Sequence, residues 1–235
     1  MDITPDTHIL FDLGFVKLNA TLVFSWLVMA ICVVGSWLVT RRITSDVRIS
    51  RGQNLLEVIV GGIREQIRDI TQQDPDQYLP FVGTLFLYIA VSNILTIVPF
   101  YKPPTGSLTT TAALALCVAV AVPYFGISKQ GLSGYLKQYL QPSLLMLPFN
   151  IIGEFSRTLA LMVRLFGNIM SGSMIAMILL LIAPLFLPAV MQVLGLLTGL
   201  VQAYIFAVLA MVYIASATRV HSQQHRAVPQ LQGDD

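Results

Sequence analysis

Residues 20–40 read ATLVFSWLVMAICVVGSWLVT, an apolar run without a single charged side chain. About 20 helical residues rising about 1.5 Å each span a hydrocarbon core of about 30 Å. Inside lipid every backbone N–H and C=O must be satisfied by the segment itself or by a closed barrel. The run is continuously apolar rather than alternating with period two, so the helix is the expected solution. Runs at 80–99, 107–126, 149–182 and 188–218 repeat the pattern. The expected fold is therefore an all-α integral membrane protein, a single membrane domain over 1–235 with about five transmembrane helices. Composition agrees: hydrophobic residues are 55% of 235 and charged residues 11%, outside the usual range of a water-soluble domain. A formal net charge of +2 gives no basis for binding nucleic acid.

Where the charges fall is more informative than their sum. Arg41, Arg42, Arg48 and Arg51 follow the first run, and such clusters stay cytoplasmic, which puts the N-terminus outside. The acidic N-terminus lacks the basic region and short apolar core of a cleavable signal peptide. Over 53–72, Leu56, Ile59, Val60, Ile63, Ile67 and Ile70 recur at helical spacing against Glu57, Arg64, Glu65, Arg68 and Asp69. This is an amphipathic helix, lying either on the cytoplasmic membrane surface or against a partner. The second and third runs are joined by the Pro- and Gly-rich turn "YKPPTGSLT" on the non-cytoplasmic side, and "ISKQGLSGYLKQYLQP" returns Lys129 and Lys137 to the cytoplasm. The tail 219–235 is polar, and its His221 and His225 lack further ligand candidates nearby, so no metal is expected. Cys32 and Cys117 sit in apolar runs and receive no role.

The last two runs are different. At about 34 and about 30 residues they measure about 50 and about 45 Å as helices. A straight helix of that length fits a core of about 30 Å only by leaning beyond the usual tilt of about 0 to 40°, unless turns project into the cytoplasm. A hairpin of long, strongly tilted helices broken at "APLFLPA" is expected. In the first of them Arg164 stands about 22 Å from Phe149, and the next charge after it is Arg219. Placing an arginine near a helix centre costs about 2.5 to 3.5 kcal/mol, so such a residue is a functional candidate. Arg157, nearer the helix start, fits an interfacial anchor equally well. Arg164, Asn168, Ser171 and Gly172 share one helical face, and Gly195, Gly199 and Gln202 form a comparable face on the next helix. Both faces are expected to look outward over small residues that admit a further helix. The nearest carboxylate in sequence is Glu154, about 15 Å away along the helix, so the counter-charge is expected on a partner.

These residues carry a resemblance. "RLFGNIMSG" followed by "LVQAYIFAVLAMVYIASA" resembles the signature pair of subunit a of F-type ATP synthases, and "SNILTIVP", "GSLTTTAALAL" and "LPFNIIGEFSRTLAL" match the same family. The resemblance covers nearly the whole chain. It implies five spanning helices, a bacterial plasma membrane location with the C-terminus cytoplasmic, and a place among membrane lipids beside a ring of c subunits. The peripheral-stalk b subunits and the rest of the complex are the other implied partners. It implies Arg164 as the stator arginine, with Asn168, Gln202, Gly172 and Ser173 beside it. Ser92, Asn93, Ser107, Thr109, Glu154, Arg157, Gly195 and Gly199 are the candidate half-channel residues.

The sequence departs from the family at two points. Many members carry glutamate where this chain has Ser173, and some carry histidine or glutamate at the place of Gly195. The outer path is then left to water or to the hydroxyls of Ser92, Ser107, Thr109 and Ser173. That pattern is similar to the alternate N-type bacterial branch, and oxygen ligands suit Na⁺; the proton is the family default and Na⁺ the alternative. No cofactor and no covalent chemistry are expected. The competing readings are a self-contained secondary transporter, whose repeat symmetry is absent from the sequence, and a passive membrane anchor.

Overall fold

The computed structural model describes residues 9–12, 17–41, 51–72, 74–98, 101–140, 146–182 and 187–218. Six helices build it: α1 (Ala20–Thr40), α2 (Arg51–Thr71), α3 (Leu79–Ile94), α4 (Leu108–Leu140), α5 (Met146–Ile182) and α6 (Leu187–Thr218). Five of them, all except α2, are long and apolar enough to cross a membrane. The protein is an all-α, multi-pass membrane protein. A short antiparallel hairpin precedes α1, β1 (Ile9–Asp12) with β2 (Lys17–Asn19), pairing Asp12 with Lys17 and Ile9 with Asn19.

The packing centre is α6. Ala203, Phe206, Ala207, Ala210, Met211, Ile214 and Ala217 are buried along one side of it, the i, i+3, i+4, i+7 rows of a helix. Four of these are alanines. Lipid is as apolar as leucine, so close backbone approach, not hydrophobicity, is what selects an interior face in a membrane. α3 contributes Val82, Leu85, Ile89 and Ala90, α4 contributes Ala115, Val118 and Ala121, and α5 only Leu161 and Leu165. The rest of α5 displays large apolar side chains such as Val163, Ile175, Ile178 and Leu181.

The amphipathic helix α2 lies against α3 and α6. Ile67 is fully buried, and Ile63 and Ile70 pack on the same core. Tyr204 of α6 donates its hydroxyl to Gln66 at 2.9 Å. Arg64 is ion-paired with Asp76 in the 3-10 turn Pro75–Gln77.

The helix that carries the expected third span, 107–126, is longer than that span. α4 continues to Leu140 through the segment read as a cytoplasmic connection, with one break at Gly131, whose φ of 73° and ψ of 162° leave the helical region. A glycine tolerates that conformation and other residues do not. Beyond the break Tyr135 folds back over Gly126 and is buried, which holds the continuation on the bundle. Arg42, Arg48, Pro184 and the tail with His221 and His225 lie outside the described residues.

Candidate functional site

Arg164 sits on the exposed side of α5, one residue before the buried Leu165. The helix turns about 100° per residue, which puts Arg164 about 60° from Leu161 and about 100° from Leu165, at the exposed flank of the buried stripe. Among the described residues no hydrogen bond or ion pair reaches its guanidinium. Asn168, one turn on, extends its amide to the Thr198 carbonyl of α6 at 3.5 Å. Ser171 and Ser173 turn their hydroxyls back on their own helix, onto the carbonyls of Asn168 at 3.2 Å and Met170 at 2.8 Å. Gly172 is exposed, with open space where a Cβ would stand.

The α6 face is corrected by the structure. Gly195 is exposed, but Gly199 is buried and Gln202 is only 6% exposed. Gln202 therefore does not look outward with Arg164. The reason is Gly199: its missing side chain lets α3 approach until a Cβ there would stand 2.8 Å from Asn93 Cγ. Asn93 uses that proximity to donate Nδ2 to the Gly199 carbonyl at 2.9 Å. Gln202, on the same inward side, keeps an Nε2 without a partner among the described residues, a state that costs about 1 to 3 kcal/mol in a dry interior.

At the start of α4 the structure gathers hydroxyls. Ser92 Oγ lies 3.3 Å from Thr105 Oγ1 and 3.5 Å from the Tyr101 hydroxyl. Ser92, Thr105, Ser107 and Thr111 are fully buried, whereas Thr109 is exposed. Thr111 bonds back to the carbonyls of Ser107 and Leu108. Phe24 of α1 meets the Tyr101 ring edge-on at 5.1 Å. Burial pushes the Tyr101 hydroxyl up to about 12, partly offset by its bond to Ser92, so it stays neutral at physiological pH. Tyr101, Thr105 and Thr111 were not among the sequence candidates; the hydroxyl-rich "GSLTTT" holds Thr111, and Tyr101 and Thr105 stand in the "YKPPT" turn before it.

At the other end of the bundle a cleft of about 440 Å³ opens between α4, the first turns of α5 and the last turns of α6, lined among others by Asn150, Glu154, Arg157, Tyr213 and Ser216. The Arg157 guanidinium stands 5.6 Å from the Tyr213 ring centroid, a cation–π contact. Arg164 and this cleft share α5, with two turns of helix between Arg157 and Arg164.

An exposed arginine midway along an apolar helix, a buried carboxamide on the helix that packs against it, and two separate polar regions near opposite ends of the bundle make up the candidate site. Residues 22–215 match the family model described as ATP synthase A chain. The chain belongs to that family. It is 63% identical to ATP synthase subunit a 2 of Acaryochloris marina, over 96% of this chain and 97% of the relative. It is 59% identical to ATP synthase subunit a of Albidiferax ferrireducens, over 93% and 95%, and 57% identical to ATP synthase subunit a 1 of Chlorobaculum parvum, over 95% and 99%. As an ATP synthase A chain, the protein has the rest of the F-type complex for partners.

Proposed function

We propose that this chain is the stator subunit of a rotary F-type ATP synthase, standing beside a ring of c subunits and supplying the two half-channels through which the coupling ion reaches and leaves the ring. The observation that carries this is Arg164: a permanent charge within an apolar helix, exposed on the thinly covered side of α5, with no partner among the described residues. A charge so placed is costly in lipid and is stabilised by a carboxylate brought to it from outside the chain. A c-subunit carboxylate that has bound its ion is neutral and crosses lipid. Beside Arg164, within about 4 to 6 Å, its ionised form is favoured by about 1 to 3 pH units and the ion leaves. The same charge repels a cation trying to pass directly between the half-channels, so passage requires rotation. Each charge moved supplies about 2.3 kcal/mol per 100 mV.

In this reading the cleft of Glu154 and Arg157 is the cytoplasmic half-channel, and the region of Ser92, Ser107 and Thr109 belongs to the outer one. The N-terminus lies outside and the C-terminus in the cytoplasm of a bacterial plasma membrane, α5 and α6 run tilted along the ring, and b subunits hold the chain still. The coupling ion is the proton. Na⁺ is the second reading, favoured by the neutral oxygens of the outer region and by Ser173 and Gly195 standing where acids or histidine are usual.

Vesicles holding the whole complex, and vesicles holding the purified chain alone, test this. A stator moves ions only in the complex and on ATP addition; coupled or gradient-driven uptake by the chain alone identifies a carrier instead. Uptake that requires Na⁺ and resists a protonophore assigns Na⁺, and uptake collapsed by the protonophore assigns the proton.

A further inference from the structure

Four elements of the bundle touch in a closed circuit at one level. Ser92 of α3 meets Thr105 of the 3-10 turn Pro104–Gly106, oxygen to oxygen at 3.3 Å. The next residue of that turn, Gly106, abuts α5 so closely that a Cβ would stand 3.2 Å from Ile169 Cγ2. The residue before Ile169 is Asn168, whose amide reaches the Thr198 carbonyl of α6. Beside Thr198, the Gly199 carbonyl receives the amide of Asn93, the neighbour of Ser92. Each element gives two consecutive residues, one to each neighbour, and the circuit returns to its start.

The circuit has a fixed relation to the site. Arg164 precedes Asn168 by one turn on α5, and Gln202 follows Thr198 by one turn on α6. The two helices pack against each other and are joined by only the four residues 183–186, so they run antiparallel, and one turn back on α5 points the same way as one turn on along α6. Arg164 and Gln202 therefore both lie about 6 Å to the same side of the circuit. Neither group is held by bonds of its own: the guanidinium has no partner among the described residues, and the carboxamide Nε2 has none either. Their relative height therefore follows the register of the two backbones, and the circuit ties those backbones together one turn away.

Resting on the stator reading above, we propose that this circuit is a positioning collar and that Asn93 is a positioning residue, acting through the Gly199 carbonyl to keep Gln202 level with Arg164. Asn93 touches neither ion nor ring in this role. Its loss leaves the Gly199 carbonyl in α6 with its ordinary helical bond, so the helix persists while its height against α5 is freed. A freed register opens a route past Arg164, and ATP turnover then outruns ion movement.

The test is the number of ions taken up per ATP hydrolysed in vesicles of the whole complex, together with passive leak in the same vesicles without ATP, where the intact catalytic sector holds the ring. Native protein, Asn93→Ala and Arg164→Ala are compared at equal content of assembled complex. A merely structural asparagine would lower the amount of complex, not this ratio. The collar predicts that Asn93→Ala keeps ATP hydrolysis, lowers the ratio by about threefold or more, the order of one interhelix hydrogen bond, and raises the leak. A native ratio and leak in Asn93→Ala, with the ratio lost in Arg164→Ala, overturns the collar and spares the stator. A native ratio in Arg164→Ala overturns the stator reading and the collar with it. If Asn93→Ala does not assemble, Thr105→Val, which keeps its shape at another link, decides: a lowered ratio is expected and a native one overturns the collar.

Discussion

Replacing Gly199 by alanine sets two opposing effects against each other, and the structure says which wins. Alanine is the better helix former by about 1 kcal/mol, so in an open helix Gly→Ala stabilises. At Gly199 the new Cβ would stand 2.8 Å from Asn93 Cγ and 3.1 Å from its Cβ and Nδ2, well inside the about 3.5 to 4.0 Å of a comfortable contact. Overpacking of this kind costs about 1 to 3 kcal/mol. Moving Asn93 aside also forfeits its bond to the Gly199 carbonyl, about 0.5 to 1.5 kcal/mol. The net expectation is a loss of about 1 to 3 kcal/mol. The thermal unfolding midpoint of the purified complex, followed by intrinsic fluorescence, should fall for Gly199→Ala. It should recover most of the way in Gly199→Ala with Asn93→Ala, because Cγ and Nδ2 are then gone. A single variant at least as stable as native would refute the reasoning, since helix propensity would then be acting unopposed.

Further outcomes follow from other sites. Gly131→Ala should lower the same midpoint by the equivalent of about 1 to 3 kcal/mol, the cost of forcing a side chain into that backbone region, whereas Gly62→Ala in α2, with open space around it, should leave it unchanged or raise it. Glu154→Gln should slow coupled ion uptake severalfold while leaving ATP hydrolysis by the detached catalytic sector at its native rate; native uptake would remove Glu154 from the cytoplasmic path. Tyr101 is raised from 10.0 to about 12, so the stability its neutral hydroxyl contributes is complete below pH 10 and is lost as pH rises through about 12. Ultraviolet titration of native protein against Tyr101→Phe should show the missing group titrating late, and a difference centred near pH 10 would contradict the buried environment described for it.

The apolar runs and Arg164 were readable in the sequence because lipid imposes length and charge rules that do not depend on neighbours. Which side of a helix faces inward was not. Gln202 was placed outward with Arg164, yet the interior side of α6 is marked by Ala203, Ala207 and Ala210, and in lipid a leucine-rich face signals nothing about the core. The bond from Asn93 to Gly199 spans more than a hundred residues and depends on how closely two backbones approach, which periodicity does not encode. Tyr101 and Thr105 lie in a proline-rich turn whose packing on α3 had no periodic signature. The segment after Phe125 was read for the side of the membrane its lysines take, and its helical continuation, broken at Gly131, has no apolar run to mark it.

The central claim is that Arg164 forces ions through the rotating partner. ATP-driven ion uptake should be measured in vesicles of the intact complex with native protein and with Arg164→Ala, at matched content of assembled complex. The account predicts that coupled uptake disappears in the variant. Undiminished coupled uptake by Arg164→Ala would contradict it.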